Sequence, residues 1–324
     1  MTPFFVPLLL ITVGAEPPAG PPRDSPPEFG HGISAKEAAE GWISLFDGQS
    51  TFGWNEATAK DGVLNRGTTT TRFMNFEIRA EVTREGEFKI GDRRIKATPK
   101  TFVATVRNKA AEPIELTRGL SVSKLAIRPL DLDKKFNGKD LSGWTTLHHP
   151  RIAADKRPKW SAKDGIIRAV GGPGAIELQE KFADFVLQID VRTAKMANGG
   201  VFVRADPGSF MNGYEAQVYN GCYDGDPGKP CRYSTGAIDD RQLARRLVSR
   251  DGEWFTMTVV ANGPHLATWV NGYQMTDWTD TRAKDANPRK GLRLDAGTIQ
   301  LQAHDPETDV EFRNLRIVET SPKK

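Results

Sequence analysis

The stretch Ile299–Pro306, "IQLQAHDP", alternates Ile299, Leu301 and Ala303 with Gln300, Gln302 and His304 before an Asp-Pro pair stops the run. A period of two is that of a β-strand with one buried and one wet face. The wet face carries two amides and an imidazole, where an ordinary solvated sheet favours Thr, Lys and Glu.

Other segments repeat the pattern. In "VFVR", Val201 and Val203 oppose Phe202 and Arg204; in "YEAQVY", Ala216 and Val218 oppose Glu215, Gln217 and Tyr219. "FVLQIDVR" sets Phe185, Leu187, Ile189 and Val191 against Gln188, Asp190 and Arg192, and "LATWV" adds Trp269. Each strand thus has an apolar face for a sandwich core and a face dense in amides, carboxylates, Arg and aromatics. Planar hydrogen-bonding groups beside aromatic rings suit a sugar, with its fixed hydroxyls and apolar ring faces. Taken singly, each residue has an ordinary structural reading: a strand-end histidine is more often structural, and Arg204 and Glu215 can pair across strands. The recurrence of such groups on several strands is what argues for a binding surface.

Composition sets the frame. A chain of 324 residues, 38% hydrophobic and 27% charged, is long enough for two ordinary domains. Its 31 Gly and 21 Pro fit turn-rich β-structure. A net charge of +4 with no long Lys/Arg block makes no case for nucleic acid.

The chain also matches itself. "FDGQSTFGW" (Phe46–Trp54) parallels "FNGKDLSGW" (Phe136–Trp144), "KDGVL" parallels "KDGII", and "RFMNFEIRAEV" parallels "KFADFVLQIDV". The closing strands "SKLAIRPL" and "RNLRIVET" are alike as well. This repeat predicts two antiparallel β-sandwiches, residues 40–131 and 132–320, the first a degenerate copy of the second. Copy one lacks any counterpart of "NGGVFVRAD", "GYEAQVYNG", "STGAIDDRQ" and "LQAHD", so chemistry is expected in copy two alone.

Before the repeat, Phe4–Val13 is an apolar run too short to span a bilayer, and Val13-Gly14-Ala15 offers small residues for cleavage. Residues 1–15 therefore read as a signal peptide, implying a secreted or periplasmic protein without a membrane span. Residues 16–39 read as a Pro-rich leader, six prolines falling between Glu16 and Pro27. In an exported protein, Cys222 and Cys231 are expected to form a disulfide that closes a short loop. Zinc is a poorer reading, because two thiolates alone leave it half-coordinated.

The segment "TGAIDDRQLARRLVSRDGEW" reads either as a short solvated helix bearing Arg241, Arg245, Arg246 and Arg250, or as a loop over the concave face. As a loop it brings Asp239, Asp240 or Arg241 to a ligand. No nucleophile elbow, zincin helix, EF-hand or phosphate loop is present. Glu215 with Asp190 is only a loose candidate for the carboxylate pair of a retaining glycosidase.

In combination, "LFDGQSTFGW", "FNGKDLSGW", "NGGVFVR", "GYEAQVYN", "TGAI", "WVNGYQMTDWTD" and "LQAHDPETDVEFRNLRI" resemble the 3-keto-disaccharide (3-keto-glucoside) hydrolase domain family. The match covers copy two nearly end to end and copy one only at its opening and closing strands. The resemblance implies a concanavalin A-like jelly roll on a bacterial, mostly exported protein that cleaves 3-keto-glycosides. The chain departs from the family at the Cys222–Cys231 loop and at Asp239, where a Tyr is expected. A ketone at C3 acidifies the proton on C2, and its removal gives an enediolate that expels the C1 substituent before water adds. Such a step needs a base near neutral pKa and a cation by the oxyanion. The resemblance makes His304 the base, Arg204 the enolate stabiliser and Glu215 an orienting group. Substrate contacts fall to Gln217, Tyr219, Asp190, Gln302, Trp269, Asp239 and Arg241. A divalent metal held by Glu215, His304 and a neighbouring carboxylate stays open, since no spacing specifies it. The rival reading is a non-catalytic carbohydrate-binding module, because this fold serves lectins and enzymes alike.

Overall fold

Period-two alternation becomes three antiparallel sheets in the computed structural model, which describes residues 29–287 and 289–320. The expected signal peptide and most of the expected leader lie outside those residues. Among the described residues, no helix is long and apolar enough to cross a membrane. The leader's last part is folded: Ser34 and Glu37 form a reciprocal capping box that starts helix α1 (Ala35–Ala39). Ile33, Ala38 and Trp42 then pack on Ala126, so this part of the expected leader is folded onto the first half.

The first half forms one 9-stranded sheet: β1 (Ile43–Ser44), β2 (Trp54–Asn55), β3 (Thr58–Lys60), β4 (Val63–Thr69), β5 (Phe73–Arg84), β6 (Gly86–Ile90), β7 (Arg93–Ala97), β8 (Lys100–Glu112) and β9 (Ile114–Pro129). The long strand β9 organises it. Its C-terminal part pairs with β5 (Ile78↔Ile127) and its N-terminal end with β6 (Phe88↔Leu116). Between the β4 pairs Asn65↔Ser121 and Gly67↔Leu116 the strand bulges, with Gly119 at φ +113°, a conformation open mainly to glycine. A bulge bends and twists a strand, so this sheet coils on itself. The two-sheet sandwich expected for residues 40–131 is therefore a single continuous sheet.

The second half is the expected sandwich. Its middle sheet is 8-stranded: β10 (Asp133–Lys134), β12 (Lys159–Lys163), β13 (Ile166–Val170), β15 (Phe185–Thr193), β18 (Phe255–Asn262), β19 (His265–Val270), β20 (Tyr273–Thr279) and β22 (Asp309–Glu319). The facing outer sheet runs in the order β11 (Trp144–Leu147), β14 (Gly174–Phe182), β21 (Gly297–Ala303), β16 (Gly199–Ala205), β17 (Tyr214–Val218). Between them lies a core of Phe185, Leu187, Ile189, Val201, Val203, Ala216, Val218, Val259, Ile299, Leu301 and Phe312. Both repeat tryptophans, Trp54 and Trp144, are buried in corresponding places at the start of their halves.

The middle sheet is buried on its back as well. Val186, Val260, Ala267 and Trp269 join Phe73, Phe76, Ile78 and Leu125 of the first sheet in a second core. Trp269 is 1% exposed, and its Nε1 donates to the Ser44 carbonyl at 3.0 Å. The first half thus replaces solvent on the back of the sandwich, on the opposite side from the outer sheet.

Candidate functional site

Register decides which polar groups meet. On the outer sheet Glu177, Gln300, Phe202 and Glu215 stand in one cross-strand row, and Ala175, Gln302, Gly200 and Gln217 in the next. Beyond β17 the chain at residues 235–239 adds an irregular strand. Asp239 N–H donates to the Glu215 carbonyl at 3.0 Å, and Gln217 N–H to the Ala237 carbonyl at 3.0 Å. Asp239 therefore sits directly across from Glu215. The segment after it, expected as a helix or a loop, is a loop.

Arg289, from the loop between β20 and β21, joins the two acids. Its Nη2 donates to Asp239 Oδ2 at 2.5 Å and its Nη1 to Glu215 Oε2 at 3.4 Å, with the guanidinium 5.7 Å from the Phe202 ring centre. His304 follows the end of β21. Its backbone N–H donates to the Asn198 carbonyl at 3.2 Å, and its Nδ1 lies 2.6 Å from Asp305 Oδ1. His304 and Asp305 are half-exposed, whereas Glu215 is 4% exposed.

These surroundings set proton affinities. Burial, reinforced by the charge of Asp239, pushes Glu215 up to about 7, against the pull of Arg289 and His304. The hydrogen bond to Asp305 raises His304 above its ordinary 6.5, burial opposes it, and the charges of Asp305, Glu215 and Asp239 add to the rise. Burial and charge thus raise the proton affinity of the carboxyl, a hydrogen bond and charge raise that of the imidazole, and each feels the other's charge.

The floor is the second distinctive feature. Glu215 Oε1, Gln217 Oε1, Gln300 Oε1 and both amide atoms of Gln302 are buried without a hydrogen-bond partner, five of the ten such atoms among the described residues. Leaving such a group unpaired costs about 1–3 kcal/mol, so their gathering on one face marks a surface built for something that pairs with them. Gly200 makes room for the Glu215 and Gln302 side chains within it. A Cβ there would lie 2.5 Å from Glu215 Oε1 and 3.1 Å from Gln302 Oε1. Next to Gln300, Glu177 accepts from Gln300 Nε2, Thr298 Oγ1 and the Gly208 N–H, which fastens the loop after β16 to the sheet.

Of the residues expected from sequence, Glu215, Gln217, Gln302, Asp239 and His304 come together. Tyr219 follows the end of β17; burial pushes its hydroxyl up to about 12, and Cys231, Asp251 and Asp305 act in the same direction. Arg241 stands behind Arg289, where its guanidinium donates to the carbonyls of Asp240 and Arg289 rather than facing the floor.

Other expectations fail. Arg204 is 0% exposed at a bulge with φ +49°, which turns its side chain away from the site. It donates to the carbonyls of Ala183, Gly263 and Arg293 and to Asp184, so it braces loops instead of contacting substrate. Asp190 and Trp269 belong to the middle sheet, and their polar or aromatic face points back towards α1 and the first sheet. Asp190 is held there by Thr256, Arg313 and Asn314. Its pairing with Glu215 as a glycosidase dyad fails with it. Nor is the disulfide formed: Cys222 and Cys231 are buried thiols, with Cys231 Sγ 3.4 Å from the Gly221 carbonyl oxygen.

Sequence reasoning missed Arg289 and Asp305. Asp305 was legible as the neighbour of His304, but Arg289, in a Pro/Asn-containing loop, carried no signal. Among the described residues, no group of three His, Cys, Asp or Glu side chains is placed to hold a metal ion. Arg289 lies between the two carboxylates where a cation would sit, so the residues do not fit the divalent metal left open above.

Residues 132–318 match the family model described as "3-keto-alpha-glucoside-1,2-lyase-like domain". Two crystal structures described as putative glycosyl hydrolases from Parabacteroides distasonis are similar, at 26% and 20% identity. They cover 59% and 57% of this chain and 100% and 92% of their own, with TM-scores of 0.46 and 0.45. A Bacillus licheniformis beta-glucanase is similar at 11% identity over 58% of this chain and 97% of its own, with a TM-score of 0.38. No curated protein matches the chain.

Proposed function

The chain belongs to the 3-keto-alpha-glucoside-1,2-lyase-like domain family, and on that premise we propose that it cleaves 3-keto-glycosides by taking the proton beside the ketone. A carbohydrate partner follows from the family at the coarser level. The finer reading is carried by one observation: Glu215, Asp239, Arg289 and His304 converge over a floor of unpartnered amides.

The roles differ from those expected from sequence. Glu215, buried and pushed up to about 7, is the base that removes the C2 proton. The C–H electrons form the enediolate, whose developing negative charge falls beside the Arg289 guanidinium. As the C3 carbonyl re-forms, a C1=C2 double bond forms and the C1–O bond breaks. His304, whose proton affinity the hydrogen bond to Asp305 raises, gives its proton to the departing oxygen. Water then adds at C1 and a proton returns to C2. Gln217, Gln300 and Gln302 offer mostly acceptor atoms to sugar hydroxyls. Secretion or periplasmic residence belongs to the same proposal, supported by the apolar run Phe4–Val13.

The test is an assay of purified protein on a 3-keto-glucoside beside the parent glucoside. The keto sugar is cleaved and the parent left intact, because only the ketone acidifies C2–H. His304→Ala keeps the fold and loses turnover. Equal binding of both sugars with cleavage of neither would instead identify a carbohydrate-binding module.

A further inference from the structure

Arg289 reaches Glu215 from the loop at residues 281–296, and two other arginines grip that loop by its backbone. Arg241 Nη2 donates to the carbonyl oxygen of Arg289 itself. Arg282 Nη1 donates to the same oxygen at 3.2 Å, and its Nη2 to the Gly291 carbonyl at 3.2 Å. Arg282 is in turn anchored on Asp280 at 2.8 and 2.7 Å, and Asp280 accepts the Tyr214 hydroxyl at 2.6 Å. Tyr214 immediately precedes Glu215 on β17. A closed circuit therefore runs from β17 through Asp280 and Arg282 to the Arg289 backbone, and from the Arg289 guanidinium back to β17.

The arrangement is electrostatically costly for Arg241, whereas Asp280 holds Arg282 charged. Arg241 has its proton affinity lowered first by burial, then by the charges of Arg282 and Arg289, with Asp280 and Asp239 acting in the opposite sense. Like charges at this range repel, and a surface loop can satisfy a carbonyl with water alone. Crowding two guanidiniums onto one carbonyl makes sense only if that carbonyl has to be held still. The geometry points to Arg241 and Arg282 as positioning residues that clamp the Arg289 carbonyl and so hold its guanidinium between Glu215 and Asp239. The clamp's use rests on the proposed role of Glu215 as base. The charged groups facing Glu215 are Asp239, Arg289 and His304, with Asp305 behind the imidazole. If Arg289 moves away, the attraction that opposes Asp239 weakens and Glu215 holds its proton to higher pH.

Two readouts test this. The first is the carboxyl titration of Glu215 by 13C NMR, without substrate, in the wild type, Arg241→Gln, Arg241→Lys and Arg289→Gln. The second is the pH profile of kcat/KM on a 3-keto-glucoside. Arg289→Gln should move the Glu215 midpoint upward. Arg241→Gln and Arg241→Lys should both move it the same way by about half a pH unit, which lowers kcat/KM on the acid limb about three-fold. Lysine is decisive because it keeps the charge but loses the planar fork that reaches the carbonyl. If Arg241→Lys titrates like the wild type while Arg241→Gln shifts, Arg241 acts through space and the clamp is wrong. If both titrate like the wild type while Arg289→Gln shifts, the clamp is also wrong. Arg282→Lys, which loosens the same carbonyl from the other side, serves if an Arg241 variant does not fold. Because the midpoint is read without substrate, a protein that cleaves no 3-keto-glucoside would overturn the functional reading and still leave the clamp tested.

Discussion

Glu215→Gln should make the protein more stable at pH 8 while abolishing turnover. In the folded chain this carboxyl is 4% exposed, lies across from Asp239, and is pushed from its ordinary 4.5 up to about 7. That value is already net of the pull from Arg289 and His304. The difference corresponds to about 3 kcal/mol. A group whose proton affinity is raised by folding contributes stability that is fully present below its unfolded value and lost as pH rises through its folded value. The loss therefore falls between about 4.5 and about 7. Glutamine is nearly isosteric, still accepts from Arg289 Nη1, and never ionises, so it escapes the loss. Urea unfolding of the wild type and Glu215→Gln at pH 4 and pH 8 measures the effect. The variant should match the wild type at pH 4 and exceed it by about 2–3 kcal/mol at pH 8. An equal change at both pH values, or a less stable variant at pH 8, would show that pairing with Arg289 outweighs the burial of charge.

Asp239→Asn removes the like charge beside Glu215, so the acid limb of the pH–rate profile should move to lower pH, and an unmoved limb would exclude Glu215 as the base. Trp269→Ala should cost about 3–5 kcal/mol of stability by opening a cavity between the middle and first sheets. It should leave kcat nearly unchanged, because Trp269 lies on the far side of the sandwich from Glu215.

Residues that alternate along a strand can be sorted into two faces without any structure, because the pleat alone dictates a period of two. On that basis "IQLQAHDP", "YEAQVY" and "FVLQIDVR" declared their strands. The amide floor of Gln217 and Gln302, and His304 beside it, were legible for the same reason. Which polar face meets which lies beyond the reach of alternation, because two sheets of one sandwich turn their outer faces in opposite directions. Asp190 and Trp269 showed the right chemistry on the wrong sheet. Arg204 fell out of phase because a bulge shifts the register by more than alternation can register. The first half shows the same limit on a larger scale, since its strands were legible but the bulge in β9 that makes them one coiled sheet was not. Arg289 stands furthest from anything local. It is about 74 residues from Glu215 and 50 from Asp239, and only the closure of the outer sheet and the gripping of its loop bring its charge to them. Strand faces are local properties of the chain, whereas the proton affinity of Glu215 comes from burial and from charges supplied by other strands and loops.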